Sequence, residues 1–140
     1  MFGLVKLRGE HACLIEIAQR LNAIIELGAP PPSAGIEALR RELATALIAH
    51  LQAEDWLLYP GLLNSHYPAI VDVARRFNAE MGSLSRTFID YSERWMLKPA
   101  VSDWATFCRE TRSITDALIE RIERENKELY PLLELLERAA

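Results

Sequence analysis

A chain of 140 residues, half of them hydrophobic, can bury one sizeable core but not two ordinary ones, so residues 1–140 are read as a single domain. Its 16 basic and 20 acidic side chains, net charge −4, are spread along the sequence and leave no basic stripe of the kind a phosphate backbone requires, which argues against a nucleic-acid partner. Lys6, Arg8, Glu10 and His11 follow directly on the apolar residues 1–5, and no apolar run reaches about 18 residues, so neither a signal peptide nor a membrane span is expected and the compartment is read as cytoplasmic. Cys13 and Cys108 lack metal-ligand spacing and are read as reduced, buried thiols.

Leu7, His11, Leu14, Ala18, Leu21 and Ile25 recur at steps of three and four, one face of a first helix that ends at Gly28. Residues 28–35 contain three consecutive prolines, which lack amide donors and favour extended backbone, and they form the clearest loop. Ser33 can cap the second helix, whose inward row is Leu39, Leu43, Leu47, His50, Glu54 and Leu58 and which is expected to falter near Pro60-Gly61. A third helix carries Ala74, Phe77, Met81, Leu84, Phe88, Tyr91 and Trp95 on one face and ends at Lys98-Pro99. Ser102 or Asp103 can cap the fourth, whose row is Trp104, Phe107, Thr111, Ile114, Leu118, Arg121, Glu125 and Leu129. Four amphipathic helices with short connections give an all-α, antiparallel up-down-up-down four-helix bundle.

An internal repeat supports that arrangement. A shift of 71 residues lays Ala46-Leu47-Ile48 on Ala117-Leu118-Ile119, Glu54 on Glu125, and Leu58-Tyr59-Pro60 on Leu129-Tyr130-Pro131. A shift of 70 lays Glu10 and Leu14 on Glu80 and Leu84, so the bundle is two related helical hairpins that cover each other's apolar faces.

His50 and Glu54 stand four apart on one helix face, and that face is inward. With His11 on the first inward row and Glu125 in the repeat position of Glu54, four nitrogen and oxygen donors converge on the interior, where helical bundles build metal sites. Imidazole with carboxylate suits iron, manganese or zinc rather than calcium. Trp56, Trp95 and Trp104 are read as core or hairpin-end packing, and His66, in the turn before Pro68, as a solvated loop residue.

Glu10-His11, His50 and Glu54 followed by Leu58-Tyr59-Pro60, and Glu125 followed by Leu129-Tyr130-Pro131, resemble the motif blocks of hemerythrin-like HHE domains over nearly the whole chain. In that family each hairpin supplies a His from its first helix and a His plus a carboxylate from its second, which together hold two non-haem irons. The resemblance implies that His11, His50, Glu54 and Glu125 stand at metal-ligand positions, and that Met81 and Arg121 replace the second hairpin's two histidines. A guanidinium has five donors and no acceptor, so Arg121 cannot ligate a metal, but it can supply a cation's charge and is expected to pair with Glu54, Glu125 or both. Met81 is expected to fill the vacated space.

No nucleophile with its base, phosphate-cradling glycine loop or paired-cysteine motif is present, and the chain is not expected to be an enzyme. The expected function is a degenerate di-iron bundle acting as a non-catalytic regulatory or adaptor protein through a protein partner, as monomer or homodimer. The alternative is a mononuclear non-haem sensor of oxygen, nitric oxide or iron that uses His11, His50, Glu54 and Glu125.

Overall fold

The computed structural model describes residues 2–30 and 33–139, and among them there is helix and connecting turn but no strand. The helices are α1 (Leu4–Ile25), α2 (Ser33–Gln52), α3 (Tyr59–Leu63), α4 (Pro68–Met81), α5 (Leu84–Leu97), α6 (Trp104–Arg124) and α7 (Tyr130–Ala139). Wider π turns, Ala53–Leu58 and Glu125–Leu129, join α2 to α3 and α6 to α7, and a 3-10 turn, Ala100–Asp103, leads into α6. In space these make four rods. α1 packs on α2 and α6, and α5 packs on α2 and α6, closing a four-helix bundle.

Every residue of the first, second and fourth inward rows is buried except Trp104, because the 3.6-residue period keeps one stripe facing the neighbouring rods. Two apolar clusters result. The larger contains Leu14, Leu21, Leu43, Leu47, Phe88, Trp95, Phe107 and Leu118. The smaller contains Leu4, Leu7, Leu58, Tyr59, Ile70, Phe77, Leu129, Tyr130 and Leu133. Between them lies a buried polar layer of His11, His50, Glu54, Arg121 and Glu125.

Three elements depart from the sequence reading. The second helix does not falter at Pro60 but runs on to Leu63, because the irregularity comes before the proline: the Tyr59 amide donates to the Glu54 carbonyl, five residues back. Tyr130 donates to Glu125 in the same way ahead of Pro131. The wider turn carries the chain past a residue that has no amide and whose ring would meet the carbonyl four residues earlier. The third helix is two helices, broken at Gly82-Ser83, and Met81, at the break, is half-buried against the smaller cluster. A Cβ on Gly82 would stand 2.3 Å from the Asn78 carbonyl oxygen, so the tight turn that ends α4 requires glycine.

The helix ends differ as well. α1 stops at Ile25, and Gly28 turns the chain with φ +77°, a conformation that suits glycine. The Ser102 hydroxyl turns back to the Pro99 carbonyl at 2.6 Å, Asp103 stands at the N-cap of α6 with its carboxylate paired to Lys98 at 3.0 Å, and the side chain of Ser33, expected to cap α2, is not among those described. Trp95 is buried edge-on against Phe107 and Trp104 stacks on the same ring, but Trp56 is 71 % exposed and is not core. Cys13 is likewise exposed and Cys108 half-buried, so only the second thiol is sheltered. His66 is exposed, away from the polar layer. No helix among the described residues is long and apolar enough to cross a membrane.

Candidate metal centre

The polar layer exists because α1, α2 with its π turn, and α6 with its π turn each deliver donors to one level of the bundle. His11, His50, Glu54 and Glu125 are all buried, and each offers one ligand atom such that all four atoms lie within 4.8 Å of one another. His50 Nε2 stands 2.9 Å from Glu54 Oε1, and His11 Nε2 stands 3.1 Å from Glu125 Oε1.

Both imidazoles are held from behind. His50 Nδ1 donates to Glu10 Oε1 at 2.7 Å, and His11 Nδ1 donates to Asn126 Oδ1 at 2.8 Å. With Nδ1 committed as donor, the neutral ring turns the lone pair of Nε2 inward, the tautomer a metal requires, and a carboxylate behind the ring makes that nitrogen more basic. His50 Nε2, 2.9 Å from Glu54 Oε1, and Glu125 Oε1, 3.1 Å from His11 Nε2, meet these neighbours as charge contacts and have no well-aligned hydrogen bond. Buried polar atoms left in this way are costly unless something else satisfies them, and a cation between them would.

Two tyrosines cross the layer reciprocally. Tyr59 donates its hydroxyl to Glu125 Oε2 at 2.7 Å, and Tyr130 donates to Glu54 Oε2 at 2.8 Å. Burial first, then the nearby carboxylates, push both phenols far above their ordinary range, so both remain protonated donors.

Arg121 completes the layer. Its Nη2 donates to Asp55 Oδ1 at 2.6 Å and to Glu54 Oε1 at 3.3 Å, its Nε donates to Glu125 Oε2 at 3.3 Å, and its Nη1 donates to the Met81 carbonyl at 3.4 Å. The expected pairing with both glutamates is present, but the shortest bond goes to Asp55. Burial works against the guanidinium's charge, yet Glu125 and Glu54 outweigh it and raise the Arg121 pKa, so the side chain remains charged.

The carboxylates respond to the same surroundings. At Glu54 burial favours the neutral acid, but His50 and then Arg121 outweigh it and hold the carboxyl down to about 2. At Glu125 burial, followed by repulsion from Glu54, raises it. At His50 burial is outweighed by Glu54 and then Glu10, and the imidazole moves upward. Three carboxyl groups, Glu54, Asp55 and Glu125, thus share one guanidinium.

The structure brings together all four residues that sequence reasoning placed at the centre, and adds Glu10, Asp55, Tyr59, Ser85, Asn126 and Tyr130 around them. Tyr59 and Tyr130 could have been found from the repeat, which aligns them one turn beyond Glu54 and Glu125, and Glu10 from its place beside His11. Asp55, Ser85 and Asn126 carry no signal in the sequence.

The family model for the hemerythrin HHE cation binding domain matches residues 3–133, nearly the whole chain. Comparison with curated proteins and comparison with solved structures each return no match.

Proposed function

Since the chain belongs to the hemerythrin HHE cation-binding family, we propose that it holds a single metal ion between His11, His50, Glu54 and Glu125, with Arg121 supplying the charge of the absent second ion. The observation that carries this reading is the convergence of four buried ligand residues whose donor atoms lie within 4.8 Å of one another, in a layer where His50 Nε2 and Glu125 Oε1 make no hydrogen bond. The mixed nitrogen and oxygen donors suit iron, manganese or zinc, and the family points to iron among them, which when bound would supply a redox-active Lewis acid. Glu10 and Asn126 hold the imidazoles as outer partners of metal ligands do, which favours the metal-bound reading over the metal-free bundle expected from the sequence.

We read the role as sensing or buffering of iron, oxygen or nitric oxide rather than catalysis. All four ligands are buried, and Tyr59, Tyr130 and Arg121 occupy the space around them, so the centre suits an ion or a diatomic better than an organic substrate.

A second reading, a metal-free adaptor, is favoured by one observation: Arg121 reaches Glu54, Asp55 and Glu125 together and forms a connected network without a metal. Metal analysis and a visible spectrum of protein prepared with iron present separate the two. About one iron per chain is expected, and an empty, colourless protein would favour the adaptor.

A further inference from the structure

We propose that Asp55, seated by the Ser85 hydroxyl, is the residue that draws Arg121 off the two glutamates and thereby leaves them free for one metal ion. This deepens the metal reading above and rests on it.

The argument begins at the helix break. Because α5 starts afresh after Gly82-Ser83, Ser85 lies in its first turn, and its hydroxyl donates to Asp55 Oδ2 at 2.6 Å. The other oxygen of Asp55 accepts from Arg121 Nη2, also at 2.6 Å. The same break ends α4 at Met81, whose carbonyl accepts from Arg121 Nη1 at 3.4 Å. The guanidinium is therefore gripped on the side of α4 and α5, and its distances to Glu54 and Glu125 are both stretched to 3.3 Å.

Charge-assisted hydrogen bonds between a guanidinium and a carboxylate close to about 2.7–2.9 Å when nothing opposes them. The longer pair at Glu54 and Glu125 marks a side chain held by a stronger partner. Without the negative charge of Asp55, Arg121 would settle onto the glutamates, occupy the lone pairs a metal needs, and place a positive charge against it. Asp55 is not among the four clustered ligand residues, so it acts through Arg121 and is a positioning residue.

The test is titration of metal-free protein with cobalt(II), followed by visible absorption, and with iron(II) under anaerobic conditions, for wild type, Asp55→Asn, Ser85→Ala, Asp55→Glu, Arg121→Met and Arg121→Met with Asp55→Asn. Folding of each is checked by circular dichroism. Asp55→Asn is expected to weaken binding by about 10- to 100-fold, the usual effect of losing an outer partner. Ser85→Ala, which keeps the charge, is expected to weaken it less, and Asp55→Glu to retain most of it. In the Arg121→Met background the Asp55→Asn effect should disappear, and Arg121→Gln serves as the background if Arg121→Met does not fold.

Wild-type affinity in folded Asp55→Asn would overturn the role of Asp55 alone. So would an Asp55→Asn effect that persists in full without Arg121, since that is through-space charge. A wild type that binds neither metal would overturn both this inference and the metal reading.

Discussion

Tyr59 gives its hydroxyl to Glu125, on the opposite hairpin, while its backbone amide bonds the carbonyl of Glu54, on its own; Tyr130 does the mirror image with Glu54 and Glu125. The π turns aim each tyrosine across the bundle, so the two hairpins are tied through their carboxylates by the repeat that the sequence displays. Tyr59→Phe and Tyr130→Phe should each destabilise the metal-free protein by about 1.5–3 kcal/mol, the usual range for a hydrogen bond to a charged group. Urea denaturation would check this, and losses that differ severalfold would show that the two crossings are not equivalent.

Arg121→Met should destabilise metal-free protein by about 3–5 kcal/mol, because it strips the buried carboxylates of their only guanidinium in the layer. Added iron(II) or zinc(II) should return more stability to this variant than to the wild type, since metal then supplies the whole of the missing positive charge. Thermal melts with and without metal measure both. A loss below about 1 kcal/mol would mean that Arg121 contributes as little as a surface cation does.

Glu10 lies at the rim of the layer, half-buried, with its carboxylate behind His50 Nδ1. Glu10→Gln keeps an acceptor for that nitrogen but removes the charge that makes the ring a better ligand. Metal affinity should fall by about 10- to 100-fold while the fold is retained. Competition with a chelator of known affinity reads the change, and unchanged affinity would remove Glu10 from the centre.

The inward faces were legible because burial of a helical stripe leaves a 3.6-residue signature that does not depend on what the helix packs against. His11, His50, Glu54 and Glu125 sit on such stripes and were found with them. The break at Gly82-Ser83 was not legible, since Phe77, Met81, Leu84 and Phe88 keep the helical period straight across it and both turn residues remain in the right-handed region, Gly82 at φ −69° and Ser83 at φ −81°. Pro60 was misleading for the opposite reason: proline ordinarily ends a helix, and nothing in the surrounding residues announces the π turn that accommodates it. Asp55, Ser85 and Asn126 matter through single hydrogen bonds made in three dimensions, for which a sequence has no period.

Gly82→Ala tests whether that break is built in. The added methyl would meet the Asn78 carbonyl at 2.3 Å, so backbone must move. A destabilisation of about 1–3 kcal/mol is expected, as for overpacking elsewhere. Metal affinity should fall as well, because the Met81 carbonyl and Ser85 that flank the break both help to seat Arg121. Chemical denaturation with a parallel cobalt(II) titration checks the two effects, and a neutral outcome in both would show that the turn is a passive joint.

The most direct measurement is anomalous scattering from a crystal of the cobalt(II)-loaded protein. One peak is predicted, with His11 Nε2, His50 Nε2 and an oxygen from each of Glu54 and Glu125 at about 2.0–2.2 Å, and with Arg121 still bonded to Asp55. Two peaks in the layer, or none there, would contradict the account.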